Sequence, residues 1–229
     1  MASGLVIAQT PPMQWWYTYN QQARISKQWG YSFDVNYRVQ GFEHLTGVVS
    51  AARAGATYLF NEQNRITAGY AWFGQHLQGT DRTFLNENRL WQQYQNIQQR
   101  NTTSTMQRIR VEQRFREFKI PGNKFAHYYS TRFRYMFQAQ GALVPWKPKH
   151  MGLNWLLADE IFLHAGEGIH QHFFDRNRLI GGVVWRFKPN LELATLYQYT
   201  LQYNLVLEKI EHQHTFRFTL NHSLDFRKH

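Results

Sequence analysis

"QRIRVEQRFREFKI", residues 107–120, sets Arg108, Arg110, Glu112, Arg114 and Arg116 at every second position, with Ile109, Val111 and Phe115 between them. A helix would scatter these arginines around its circumference. A strand alternates its side chains with period two, so it lines the charged residues along one face and leaves an apolar face opposite, interrupted by Gln113. Taken alone, the segment fits an ordinary soluble sheet with its apolar face on the core and its charges in water. The remaining segments decide which environment the arginines meet.

Alternation recurs almost end to end. In residues 30–40, Tyr31, Phe33, Val35, Tyr37 and Val39 oppose Ser32, Asp34, Asn36, Arg38 and Gln40; in residues 128–140, Tyr129, Thr131, Phe133, Tyr135 and Phe137 oppose Ser130, Arg132, Arg134 and Gln138. The same pattern marks residues 14–25, 52–61, 65–75, 87–98, 154–163, 175–187, 190–204 and 212–226, giving eleven candidate strands. Turn-like pieces such as "NEQN" (61–64) and "FKPN" (187–190) separate them. No helical period persists for three turns, and no apolar run approaches the roughly 18 residues of a transmembrane helix. A transmembrane strand needs only about 9 to 11 residues of alternating polarity. A polar lumen keeps the average low, consistent with a mean hydropathy of −0.59.

The polar faces carry Arg24, Arg38, Arg53, Arg65, Arg89, Arg108, Arg110, Arg114, Arg116, Arg132, Arg134, Arg176, Arg178, Arg186 and Arg217, with Asp34, Glu87, Glu112, Glu160 and Glu192 among them. Lysine, common on solvated faces, is nearly absent from these strands. Arginine suits a crowded site because its planar fork pairs with carboxylates and stays charged. Aromatic residues make up 17% of the chain, more than the inside of one closed sheet accommodates. The sequence therefore predicts an all-β, antiparallel up-and-down transmembrane β-barrel with its aromatic faces outward and an Arg-rich polar lumen.

The domain expected is a single barrel over residues 13–229, without an internal linker. Residues 1–12, "MASGLVIAQTPP", read as the remnant of a leader with a small-residue cleavage site near Ala8 and Gln9, or as a tag-like segment. Eleven strands would place the termini at opposite ends, whereas single-chain bacterial barrels normally have an even count, so about twelve are expected, with residues 4–10 or a segment read as loop supplying the last. With the C-terminus on the periplasmic side, short connections at 61–64, 101–105 and 187–190 fall together at that end, and longer ones at 78–87, 164–173 and 206–211 at the other.

"ENRLWQQ" (87–93), "RIRVEQRFRE" (108–117), "ADEIFL" (158–163) and "DRNRLIGGVVWRF" (175–187), in that order, carry a resemblance. The chain resembles an uncharacterised family of bacterial outer-membrane proteins, the domain of unknown function numbered two-four-nine-zero, from "WGYSFDVNYR" (29–38) to the final strand. The resemblance implies a β-barrel in the outer membrane of a Gram-negative cell and no assigned reaction. Its Glu-x-Arg-x-Trp and Arg-x-Arg-x-Glu-x-x-Arg motifs map onto Glu87, Arg89 and Trp91, and onto Arg108, Arg110, Glu112 and Arg114, as signatures.

A formal charge of +11 suggests nucleic acid, an anionic membrane surface or acidic ligands. Nucleic acid is disfavoured, because aromatics that stack bases should share a face with the cations and here oppose them. The partners expected are the lipid bilayer and other envelope proteins. The absence of cysteine excludes thiol chemistry and disulfides. No cofactor is implied. His127 with Ser130, and His222 with Ser223, are the His/Ser neighbours that a lipid-modifying hydrolase or acyltransferase at the barrel rim would need. His222 and Ser223 point to opposite faces of one strand. Glu167, His170 and His172, in "HAGEGIHQHFFD" (164–175), are the weak candidates for a metal. The expected function is a structural or accessory barrel or a narrow, anion-biased, porin-like pore, with the lumen arginines and Glu87, Glu112 and Glu160 as its polar network.

Overall fold

The computed structural model describes residues 13–42, 44–76, 84–120, 124–145, 151–166, 173–204 and 208–227. They form β1 (Gln14–Arg24), β2 (Trp29–Gln40), β3 (Thr46–Leu59), β4 (Asn64–His76), β5 (Phe84–Arg100), β6 (Thr103–Ile120), β7 (Lys124–Pro145), β8 (Gly152–Gly166), β9 (Phe174–Lys188), β10 (Leu191–Asn204) and β11 (Lys209–Asp225). Each coincides with a segment of alternating polarity, and most extend a few residues beyond it, because backbone pairing continues past the point where the side-chain pattern fades. No helix of the structure is long and apolar enough to cross a membrane.

Consecutive strands pair antiparallel, and β1 pairs with β11 to close the ring. The barrel closes with eleven described strands rather than the twelve expected. In an up-and-down meander of odd count the first and last strands run the same way. Their pairing must then be parallel, as it is from Gln14 opposite Thr215 to Arg24 opposite Asp225. Residues 4–10, the proposed source of another strand, lie outside the described residues, as does the whole leader-like segment 1–12.

Short turns at 25–28, 60–63, 101–102 and 189–190 gather at one end, called here the tight-turn end. In the 101–102 turn Asn101 takes φ of 49°, a left-handed conformation that asparagine adopts more readily than most residues. The strand ends joined by 77–83, 167–173 and 205–208 lie at the opposite end, as anticipated, but so do those joined by the shorter 41–45 and 121–123, while 146–151 joins strand ends at the tight-turn end, so the asymmetry in length is partial.

The polarity of the barrel is inverted relative to a soluble one. Phe33, Tyr70, Ile109, Phe133, Tyr135, Leu157 and Leu179 face outward and are exposed, whereas Glu87, Glu112, Arg114, Arg132 and Glu160 are buried inside. Phe118 and Ile120 lie at the end of β6.

Some aromatics break the outward rule. Trp16, Phe73, Trp91 and Phe162 are buried in the lumen. Trp91 needs a glycine at position 55 to fit, and Gly55, Gly69 and Trp91 lie side by side on β3, β4 and β5. A Cβ added at Gly55 would come within 2.8 Å of the Trp91 ring. The missing side chain is what lets the indole lie down across the wall.

Candidate functional site: an arginine–carboxylate lumen

The lumen network starts from an electrostatic problem in the strand register. Arg89 of β5 sits opposite Arg114 of β6, and Arg110 of β6 opposite Arg134 of β7. Like charges directly across a ladder repel. The acids on the same faces resolve both pairs. Glu87 takes Arg89 Nε at 2.9 Å and Arg114 Nε at 2.5 Å. Glu112 lies 3.6 Å from Arg110, 2.6 Å from Arg134 and 3.3 Å from Arg89.

Glu160 of β8 repeats the arrangement one strand on. It accepts Arg108 Nη2 at 2.6 Å and Arg134 Nη2 at 2.7 Å, and Arg178 of β9 stands 3.9 Å away. Arg134 is the joint of the network, since its Nη1 donates to Glu112 while Nε and Nη2 donate to Glu160. One connected chain of charge thus runs from Arg114 through Glu87, Arg89, Glu112, Arg134 and Glu160 to Arg108. Glu87 and Glu112 are each only 2% exposed. A buried carboxylate of this kind is tolerated because cations pair with it, and removing one partner leaves an uncompensated charge.

The inward aromatics are part of this construction. Arg89 lies over Phe73 at 3.6 Å and Arg110 over Trp91 at 4.7 Å, while Arg134 and Arg178 both lie 4.6 Å from the centroid of Phe162. A ring face attracts a guanidinium placed above it, so each aromatic supports a cation as well as filling volume. Their sequence signal was parity: Trp91 shares the face of Glu87 and Arg89, and Phe162 that of Glu160.

Asp175 is a lumen carboxylate that the alternation misassigns. By period two it opposes Arg176 and Arg178 and should face outward. The β8–β9 register shifts at Phe162/Leu163, pairing Phe162 with Arg176 and Leu163 with Phe174. Asp175 is the extra residue of that bulge and turns inward, where it pairs with Arg132 at 2.8 Å and Arg176 at 3.2 Å.

The remaining arginines of the expected lumen set are differently placed. Arg53 pairs with Asp34 at 2.8 Å. Arg116 donates weakly to Ser130 Oγ at 3.4 Å, Arg38 to Asn36 Oδ1 at 2.6 Å, and Arg217 to Gln198 Oε1 at 3.2 Å. No ion pair joins Arg38, Arg116 or Arg217 to a carboxylate among the described residues. Near the tight-turn end Arg24 pairs with Glu62 and Arg186 with Glu192, away from the central network. Just beyond β11, Arg227 donates to Asp225 at 2.8 and 2.5 Å, and that hydrogen-bonded carboxylate raises its guanidinium above the ordinary value.

The other sequence candidates are not assembled into sites. His127 faces outward and exposed, while Ser130 is buried on the lumen face, so the two cannot form a nucleophile–base pair. His222 is turned to Tyr19, at 3.1 Å, and Ser223 lines a cavity inside. Glu167, His170 and His172 lie outside the described residues, and no cluster of metal-ligating side chains occurs among the described ones.

Two cavities flank the network. One of about 610 Å³ at the tight-turn end is lined by Gln22, Arg24, Thr57, Arg65, Gln93 and Asp225, among others. A second, of about 190 Å³, lies against β1, β2, β3, β9, β10 and β11 and is lined by Trp16, Arg38, Arg176, Arg178, Thr200 and Thr215, among others. Against this geometry, a family model matches residues 13–207. The chain belongs to the DUF2490 family, described as a protein of unknown function. The DUF2490 match spans the strands that carry Glu87, Glu112, Glu160 and Asp175, so the charged lumen lies within the region the model recognises. No curated protein matches this DUF2490 chain.

Proposed function

We propose that this chain is a β-barrel of the bacterial outer membrane whose lumen is closed by its arginine–carboxylate network, and that it serves the envelope as a structural or accessory barrel. The observation that carries this reading is the inverted polarity: a closed ring of strands with an exposed apolar and aromatic exterior around a buried charged interior. In water such an exterior is an unfavourable surface and an aggregation hazard; against hydrocarbon it is the expected one. Closure leaves no unpaired sheet edge between strands, which a lipid environment requires. The connections at the tight-turn end are assigned to the periplasm and the opposite end to the cell exterior.

The lumen reads as a plug because its middle is packed. Glu87, Glu112, Arg114, Arg132 and Phe162 are all buried there, and a conduit of any width would wet the carboxylates that line it. An anion-biased pore is the second reading, favoured by the excess of arginine over carboxylate on the inner wall, since rings of arginine select anions. Purification and bilayer recording test both. The chain should fractionate with the outer membrane, require detergent to stay dispersed, and leave planar bilayers silent. Discrete anion-selective steps would replace the plug with the pore, and a monomer stable in detergent-free buffer would remove the membrane reading.

A further inference from the structure

The smaller cavity has the composition of a binding site, and its charge is unbalanced. Arg38 rests on Trp16, its guanidinium carbon 3.9 Å from the ring centroid. Its Nε is used by Asn36, which leaves the two terminal nitrogens with no carboxylate among the described residues. Arg178 approaches the same ring at 5.1 Å and Arg217 at 5.7 Å. Among the described residues Arg178 has Glu160 as its one ion-pair partner, at 3.9 Å, and Arg217 donates to an amide. Three cations thus converge on one indole, and the carboxylate nearest them, Glu160, is already shared with Arg108 and Arg134. A ring face offsets only part of the repulsion and desolvation of such a group.

A second observation points to the same place. Thr215 is fully buried (0% exposed), lines this cavity, and its Oγ1 has no hydrogen-bond partner among the described residues. It neighbours Gln198 across β10–β11 and Gln14 across the parallel β1–β11 seam. A buried hydroxyl is normally satisfied, so an unpaired one in the wall of a cavity indicates a group that comes from outside the chain. Glu211, the carboxylate on this wall, accepts from Asn204 at 2.9 Å.

We propose that this cavity binds a small tetrahedral oxyanion of phosphate or sulfate size, held by the terminal nitrogens of Arg38, by Arg178 and by the Thr215 hydroxyl. Several acceptor oxygens on one centre satisfy guanidinium forks and a hydroxyl donor together, which a halide cannot do. A volume of about 190 Å³ leaves room for the ion with a few waters, and excludes a whole phospholipid. The ion is either free or the phosphate of a small ester. The site is inside the barrel and goes beyond the envelope reading, holding whether or not the exterior meets lipid.

Calorimetric titration of the full-length, detergent-dispersed chain at low and constant ionic strength tests it, with inorganic phosphate, sulfate, glycerol phosphate and chloride as probes. Phosphate or sulfate should bind saturably at one site per chain, and chloride should not. Tighter binding of glycerol phosphate than of phosphate assigns the ester as the source; the reverse order assigns the free ion. Arg38→Gln and Thr215→Val, each checked for intact β circular dichroism, should each weaken binding by about tenfold or more, as expected for loss of a hydrogen bond to a charged group. Arg24→Gln, at the other cavity, should leave it unchanged. Absence of saturable binding, equal displacement by chloride, or wild-type affinity in both folded site variants overturns the proposal.

Discussion

The two sides of the lumen use the same residue in opposite ways. On the wall built from β5 to β8, arginines are held by carboxylates two or three at a time, and the like-charged pairs Arg89/Arg114 and Arg110/Arg134 are each bridged by an acid. On the wall around the β1–β11 seam, Arg38 and Arg217 face amides and an indole. The first wall is internally neutralised and reads as construction. The second keeps a net positive charge beside a cavity and reads as a place for something else. Arginine inside a barrel is therefore not one signal; what separates structure from site is whether the chain itself supplies the counter-charge.

The sharpest way to break that contrast is to remove a bridging acid. Glu112→Gln leaves Arg134 and Arg89 short of a carboxylate that is 2% exposed, and breaking a buried pair of this kind costs about 3–5 kcal/mol. Urea unfolding of the refolded barrel should show that loss as a lower midpoint with an unchanged slope. A cost under about 1 kcal/mol, the range of surface pairs, would mean that water reaches the network and that the plug is open.

The next effect distinguishes inside from outside. Phe133 is 47% exposed on the outer face of β7, one residue from the network joint Arg134. If the exterior meets lipid, Phe133→Arg should destabilise the barrel in bilayers by about 2–4 kcal/mol. On a face bathed in water the same change belongs to the ordinary surface range of about 0.5 kcal/mol. Equal stability of wild type and variant in lipid vesicles would sink the membrane assignment while leaving the fold intact.

Packing provides the third. Gly55→Val drives a branched side chain into Trp91, which carries Arg110 on its ring, so overpacking should cost about 1–3 kcal/mol. Pairing Gly55→Val with Trp91→Leu should recover part of it, because the clash partner is gone. If the double variant is no better than the sum of the two singles, the glycine has some other reason to be there.

These cases also show what could be read from the chain and why the rest could not. Strand positions and facing were legible because alternation is local: Arg108, Arg110, Glu112, Arg114 and Arg116 share a face whatever the rest of the molecule does. Asp175 was not, because a bulge of one residue inverts parity, and the bulge is set by pairing with β8 rather than by the residues around Asp175. Closure at eleven strands was also hidden, since the parallel seam joins Gln14 to Thr215 across nearly the whole sequence. The same holds for the division of the arginines: whether a carboxylate reaches Arg38 or Arg134 depends on ring neighbours that sequence order does not bring together. His127 and Ser130 failed as a pair for the opposite reason, because their separation of three already placed them on opposite faces once residue 127 proved to lie within a strand.

The smallest expected effect is the most diagnostic of the comparison. In phosphate- and sulfate-free buffer, Arg38→Gln removes a cation that has no carboxylate partner and keeps a side chain able to hydrogen-bond Asn36. Its stability should then stay within about 0.5 kcal/mol of wild type, or rise, because replacing an uncompensated buried charge relieves a cost. The analogous change in the neutralised wall, Arg134→Gln, strips Glu112 and Glu160 of a shared partner and should cost several times more, about 3–5 kcal/mol. The sign follows from pairing alone, since both substitutions delete the same charge from the same lumen. If the two variants unfold at the same denaturant concentration, the walls are energetically alike and the unpaired arginines of the seam are merely part of the plug.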